Sequence, residues 1–226
     1  MRLYVLVEGQ TEEAFANGVL ARHLRPKGID VNVSIVETSR DDYGRKRRGG
    51  GRRWGKWLSD LKRLTSSQHG GDVRFTTMFD LYGLPKDFPG LSQYSADRDT
   101  SRRAERLEFA MAAAVDDWRF IPYLQRHEFE ALVLAALPAM DGLLRNGGDR
   151  AGLDELLKVV AQSSPEDIND GEDTAPSKRL QRQIASYRKT IHGPLVVEDT
   201  GIAGLRSKCP RFDSWIAKLE ALGEAQ

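Results

Sequence analysis

The sequence predicts an α/β fold, a mostly parallel four-stranded sheet flanked by helices and followed by a helical C-terminal part. Three observations predict it. Apolar, β-favouring runs alternate with segments of helical periodicity, which argues for parallel strands covered on both faces. The first such run, Leu3 to Val7, is apolar enough to be a buried strand, and it begins almost at the N-terminus. Beyond Pro138 only helical patterns remain, near 151–162, 176–190 and 211–222.

The elements follow in order. After Leu3–Val7 come Glu8 and Gly9, and Thr11 to about Arg25 reads as a helix. Thr11 is a candidate N-cap, with Glu12 and Glu13 near the positive end of the dipole. Val31 to Glu37 alternates as a second strand, with Val31, Val33 and Ile35 on one side. Trp54, Trp57, Leu58, Leu61 and Leu64 recur at spacings of three and four, so an amphipathic helix is expected, its tryptophans packing rather than stacking on bases. Asp72 to Asp80 gives a third strand that also ends on an acid, followed by a Gly/Pro-rich loop to Gly90. A helix from about Ser101 to Asp117 leads to a fourth apolar run, Phe120 to Leu124, and then to a helix entered at His127-Glu128-Phe129-Glu130.

With 226 residues the chain suffices for one sizeable domain with a smaller addition. No apolar run approaches the roughly 20 residues of a membrane span, and the N-terminus has no secretory pattern. A lone cysteine, Cys209, excludes an internal disulfide; it suits a reducing cytoplasm and reads as a packed apolar residue. The net charge of +1 conceals an uneven distribution. Between Arg40 and Lys56 stand eight basic residues (Arg40, Arg45, Lys46, Arg47, Arg48, Arg52, Arg53 and Lys56) against Asp41 and Asp42. That segment carries +6 and leaves −5 for the rest of the chain. Arginine forks on a glycine-rich loop suit a nucleic-acid backbone, DNA or RNA, so Arg45, Lys46, Arg47, Arg48, Arg52, Arg53 and Lys56 are candidate contacts.

In a parallel sheet, acids after successive strands leave from one edge. Glu8, Asp80 and the pair Glu128/Glu130 are therefore candidate ligands for one or two Mg²⁺ or Mn²⁺ ions, hard cations that take oxygen donors. Two such ions about 4 Å apart activate a water and stabilise the leaving oxygen of a phosphodiester. Other chemistries are excluded. His127-Glu128 opens a zinc-protease pattern, but Ala131 stands where the second histidine belongs. Gly50 to Lys56 mimics a P-loop, yet Trp57 replaces the Mg²⁺-binding hydroxyl and no strand precedes it. Lys189 with His192, and Arg206 with Lys208, extend a basic groove or are ordinary surface charge.

Four stretches together resemble a bacterial domain-of-unknown-function family, number four-two-seven-six, grouped with the Toprim-like proteins. They are Val7-Glu-Gly-Gln-Thr-Glu12, Phe79-Asp-Leu-Tyr-Gly-Leu-Pro85, Pro122 through Leu132, and Ser207 through Phe212. The resemblance implies a Toprim-like domain over 1–137 with a basic insertion near 39–56, and a helical extension over 138–226. It also implies a metal-dependent, nuclease-like role related to overcoming-lysogenization-defect nucleases, beside an ATPase partner in phage defence. Carried over by motif, Glu8 is similar to the Toprim glutamate after strand one, and Asp80 to the first acid of Asp-x-Asp. Glu130 resembles the later acid, with Glu128 as a nearby substitute. On this reading Glu8, Asp80 and Glu130 are catalytic. Tyr82 departs from the pattern, because it stands where the second acid belongs. That departure leaves open an alternative, a non-catalytic nucleic-acid or nucleotide-binding module of a defence complex.

Overall fold

The computed structural model describes residues 1–40, 46–48, 53–144, 147–168 and 174–224, with main chain alone for 37–40 and 46–48. Strand β1 (Arg2–Val7) leads into α1 (Gln10–Phe15), which runs on through a π-helical turn (Ala16–Leu20) into α2 (Ala21–Leu24). Then come β2 (Asp30–Ile35), a small antiparallel pair β3 (Glu37–Arg40) and β4 (Lys46–Arg48), α3 (Trp54–Ser67) and β5 (Val73–Asp80). Helices α4 (Leu91–Tyr94) and α5 (Thr100–Val115) precede two short strands, β6 (Phe120–Ile121) and β7 (Leu124–Gln125). The rest is helical: α6 (Glu130–Ala135), α7 (Gly147–Val160), α8 (Pro176–Gln183), α9 (Lys189–Arg206) and α10 (Pro210–Glu224). Among the described residues no helix is long and apolar enough to cross a membrane.

The predicted parallel sheet is present, in the order β2-β1-β5-β6, with every pairing in it parallel. The fourth strand is broken in two. Pro122 has no N–H to give the ladder, and threonine hydroxyls bridge the gap. Thr76 Oγ1 donates to Ile121 O at 2.7 Å, and Thr77 Oγ1 donates to Tyr123 O at 2.9 Å. Pairing then resumes on β7, with Phe79 opposite Leu124 and Asp80 opposite Gln125.

Strand alternation divides the core between the two faces. Leu3, Val5 and Val7 pack with Phe15, Phe129, Phe212 and Trp215 on one face. Leu6, Phe75 and Phe79 pack with Trp57, Leu107 and Met111 on the other. Trp57 lies 4.4 Å from Phe79 and Trp54 4.7 Å from Phe88, ring centre to ring centre, so both tryptophans are core residues as expected. Cys209 is buried, and burial pushes its thiol well above the usual range, which suits a packing role.

The C-terminal helices depart from the sequence pattern. Only 176–183 of the expected 176–190 helix is continuous, and α9, which starts at the end of that range, lies almost wholly in a stretch with no predicted helix. Gly193-Pro194, Gly201 and Gly204 disguise it. Gly201 adopts φ 68° and ψ 168°, a kink that the absence of a Cβ permits. Burial of Val196, Val197, Ile202 and Leu205 outweighs the poor local propensity. Lys208, just beyond α9, donates to Ala135 O at 2.8 Å and satisfies a carbonyl at the end of α6.

Candidate functional site

From β1 the chain crosses to β2 on one side and returns to β5 on the other, so the C-terminal ends of β1 and β5 flank the point where the strand order reverses. Open α/β sheets bind ligands in that crevice. Glu8 directly follows β1, Asp80 ends β5, and Val7 lies opposite Met78 in the shared ladder. Both carboxylates therefore leave the sheet at its switch point.

The turn after β5 is shaped around Glu8. Gly83 N donates to Asp80 O at 3.0 Å and folds the loop back over the strand end. A Cβ at Gly83 would sit 2.7 Å from Glu8 Oε2 and 2.8 Å from Oε1, so the glycine leaves space that the carboxylate fills. A second acid joins in the same way. Glu12, expected at the helix start as a dipole partner, is turned inward and buried, and a Cβ at Gly9 would lie 3.1 Å from its Oε2. The sequence carried a signal for it: Glu12 lies four residues after Glu8, beyond a glycine.

The other wall comes from the chain after β7. His127 takes a left-handed conformation, φ 63°, rare for a residue with a Cβ. Tyr82 N donates to His127 O at 3.1 Å, and the turn returns Phe129 N to donate to Asp80 Oδ1 at 2.9 Å. Glu130, one residue on, is completely buried. Its Oε2 accepts from Lys189 Nζ at 2.9 Å, the lysine being the first residue of α9. Lys189 thus belongs to the site and is not plain surface charge. Glu128 turns elsewhere, its Oε2 accepting from Ser177 N at the start of α8 at 3.3 Å.

The electrostatics follow from placing like charges out of water. Burial, then the charge of Glu12, pushes Glu8 up to about 7. Burial raises Glu12 too, and it holds Asp80 well above the usual carboxylate range, reinforced by Glu12 and Glu8. Glu130 is pushed up to about 7 by burial, against the pull of Lys189. Burial opposes the charge on Lys189, but Glu130 and Asp80 outweigh it and hold the ammonium above its ordinary value. Burial drives His127 down to about 4, which leaves a neutral ring at physiological pH.

Two buried oxygens, Glu8 Oε2 and Glu130 Oε1, have no hydrogen-bond partner. Such atoms are costly unless something else satisfies them. An all-oxygen donor set with orphaned, buried carboxylate atoms fits the chemistry of a hard divalent cation. The cage is not preassembled: among the described residues, no three His, Cys, Asp or Glu side chains are grouped to hold a metal ion.

Of the predicted nucleic-acid contacts, Arg45 and Arg52 lie outside the described residues. Lys46, Arg47 and Arg48 form β4, whose partner β3 begins just beyond the end of β2. Val36 N donates to Val7 O at 3.0 Å, so this hairpin leaves from the same sheet edge as Glu8. Arg53 and Lys56 are exposed at the start of α3, where Asp87 Oδ1 accepts from Trp54 N at 2.9 Å and caps the helix from another loop.

A model of the family described as Domain of unknown function (DUF4276) matches residues 7–220. Two solved structures are similar over nearly their whole length. The C-terminal region of the Burkholderia pseudomallei OLD protein shares 16% identity, with 98% of each chain covered and a TM-score of 0.47. The C-terminal region of the Xanthomonas campestris pv. campestris OLD protein shares 19%, with 96% of each chain covered and a TM-score of 0.35. No curated protein matches the sequence.

Proposed function

We propose that this chain, which belongs to the family described as Domain of unknown function (DUF4276), is a Toprim-like, metal-dependent nuclease acting on nucleic-acid phosphodiesters. The observation that supports this reading is that Glu8 and Asp80 leave adjacent strand ends at the switch point of the sheet, near enough to Glu12 and Glu130 for their charges to act on one another, with Lys189 bonded to Glu130. Structural carboxylates are normally paired or solvated. A like-charge cluster with orphaned oxygens is instead what a cation site needs before its ion arrives.

Glu8 and Asp80 would hold Mg²⁺ or Mn²⁺, with Glu12 and Glu130 adding negative charge and Glu128 held in reserve at α8. A bound ion would lower the pKa of a water and neutralise phosphate charge. Lys189 gives one hydrogen bond to Glu130, and its other N–H donors suit a phosphate oxygen. The basic segment around β4 would grip the strand from the same edge. An ATPase partner in phage defence is part of the proposal, supported by the motif resemblance.

One set of observations favours a second reading, a non-catalytic nucleic-acid or nucleotide-binding module. By the motif resemblance Tyr82 stands where an acid belongs, and among the described residues no three ligands are grouped in advance. A cleavage assay on plasmid, linear and single-stranded DNA and on RNA, with Mg²⁺ or Mn²⁺, separates the two. Cutting that Glu8→Gln and Asp80→Asn abolish supports the nuclease. Salt-sensitive binding without cutting, alone or with a neighbouring ATPase, supports the module.

Two further outcomes are expected. Gly83→Ala should leave thermal stability within about 1 kcal/mol of wild type. By displacing the Glu8 carboxylate it should weaken Mn²⁺ binding about tenfold, measured by calorimetric titration, since a poorly placed ligand loses about 1.4 kcal/mol. Replacing Arg45, Arg47, Arg48, Arg52 and Arg53 by alanine should lower the slope of log affinity against log salt by up to about 0.9 per lost phosphate contact. An unchanged slope would mean the segment is merely solvated.

A further inference from the structure

Tyr82 stands where an acid would complete the metal motif, and its surroundings indicate what it does there. Its neighbours Asp80 and Leu81 are buried, yet Tyr82 is 42% exposed. It is held firmly all the same. Its own N–H donates to His127 O at 3.1 Å, and the next residue donates to Asp80 O at 3.0 Å. Its ring rests on the His127 ring, with centroids 5.2 Å apart and planes inclined by 41°. His127 is almost wholly buried and its backbone is in the left-handed region. Such strain is tolerated where function needs the geometry. Gly83, the next residue, lies against the Glu8 carboxylate, so the backbone that carries Tyr82 belongs to the turn over the acid cluster. Burial raises the Tyr82 phenol above its ordinary value, and Arg103, hydrogen-bonded to the hydroxyl, and the more distant Arg126 oppose this against the charge of Glu128, so positive charge lies at the hydroxyl end of the ring.

A partly exposed aromatic ring, backed by a buried histidine ring and carried by the turn over the proposed metal site, is the arrangement that receives a base. We propose that Tyr82 is a stacking platform for an unpaired nucleobase next to the scissile phosphate, so that the substrate is single-stranded nucleic acid. The inference rests on the nuclease reading above. A paired base in the interior of a duplex cannot lie on the ring, because both of its faces are already stacked. The missing second acid is then an exchange of one ligand for a substrate contact.

The test uses the full chain with Ca²⁺ in place of Mg²⁺, so that the carboxylates keep a divalent ion while the strand is held uncut. The probes are a single-stranded oligonucleotide carrying 2-aminopurine and its blunt duplex. Without a further change, binding the single strand should quench 2-aminopurine, and affinity should exceed that for the duplex. Adding Tyr82→Ala should abolish the quench and weaken single-strand binding about tenfold, while Tyr82→Phe keeps both. Thermal melts of each variant verify folding. Equal single-strand affinity and quenching with alanine at position 82 would overturn the platform while leaving the nuclease reading intact. Failure to bind either probe would remove the nucleic-acid reading itself, and this inference with it.

Discussion

Glu8→Gln and Asp80→Asn should each reduce cleavage by at least about a hundredfold while making the metal-free protein more stable. The second half of this result separates a functional cluster from a structural one. A carboxylate held at about 7 rather than 4.5, as Glu8 is, costs the folded state about 3 kcal/mol at pH values above 7. Replacement by the neutral isostere recovers part of that, about 1–2 kcal/mol, or roughly 4 °C in Tm for a chain of this size. The sign is fixed by proton counting. Glu8 and Glu130 bind their protons more tightly when folded, so their contribution to metal-free stability is highest below about 4.5 and falls as pH rises to about 7, while His127, held down near 4, opposes them over the lower part of that range. Asp80, raised in the same direction, extends the decline upward. In Glu8→Gln the decline should be shallower by one group. Melting curves from pH 4 to 8 in chelator measure this, and a lower Tm for both isosteres at neutral pH would show that the charges stabilise the fold.

Lys189→Met should produce the opposite effect. Its ammonium balances Glu130 and Asp80, and methionine keeps the packing stem while removing the charge. Breaking a buried ion pair costs about 3–5 kcal/mol. Here the lysine side chain is 38% exposed, so about 2 kcal/mol is expected at neutral pH without metal. Manganese at a hundred times its Kd contributes about 2.7 kcal/mol and should restore the loss, because the ion supplies the missing positive charge. Differential scanning calorimetry with and without Mn²⁺ reads both parts. Loss of stability that manganese fails to restore would mean that Lys189 holds α9 in place and has no link to an ion site.

The strand-end acids were legible because a parallel sheet sends them to one edge. Glu8 and Asp80 could be chosen from the rhythm of apolar runs alone. Strand order was not legible, so the switch point between β1 and β5 emerged only from the pairing. Glu12 was signalled only weakly, by its spacing from Glu8, because a glutamate in the first turn of a helix suits solvent equally well. Lys189 was hidden because its partner Glu130 lies 59 residues away in sequence, and its helix is masked by Gly193, Pro194 and Gly201. Glu128 shows the opposite limit: the spacing that placed it beside Glu130 says nothing of the Ser177 amide that engages it. The run Phe120 to Leu124 reads as one strand, and neither its break at Pro122 nor the bridging by Thr76 and Thr77 was foreseen.

The most direct measurement is anomalous diffraction from a crystal soaked in manganese. The account predicts a strong peak at the sheet edge within coordination distance of Glu8 and Asp80, lost in Asp80→Asn. Saturating manganese that leaves this edge without a peak, the carboxylates remaining apart, would contradict it.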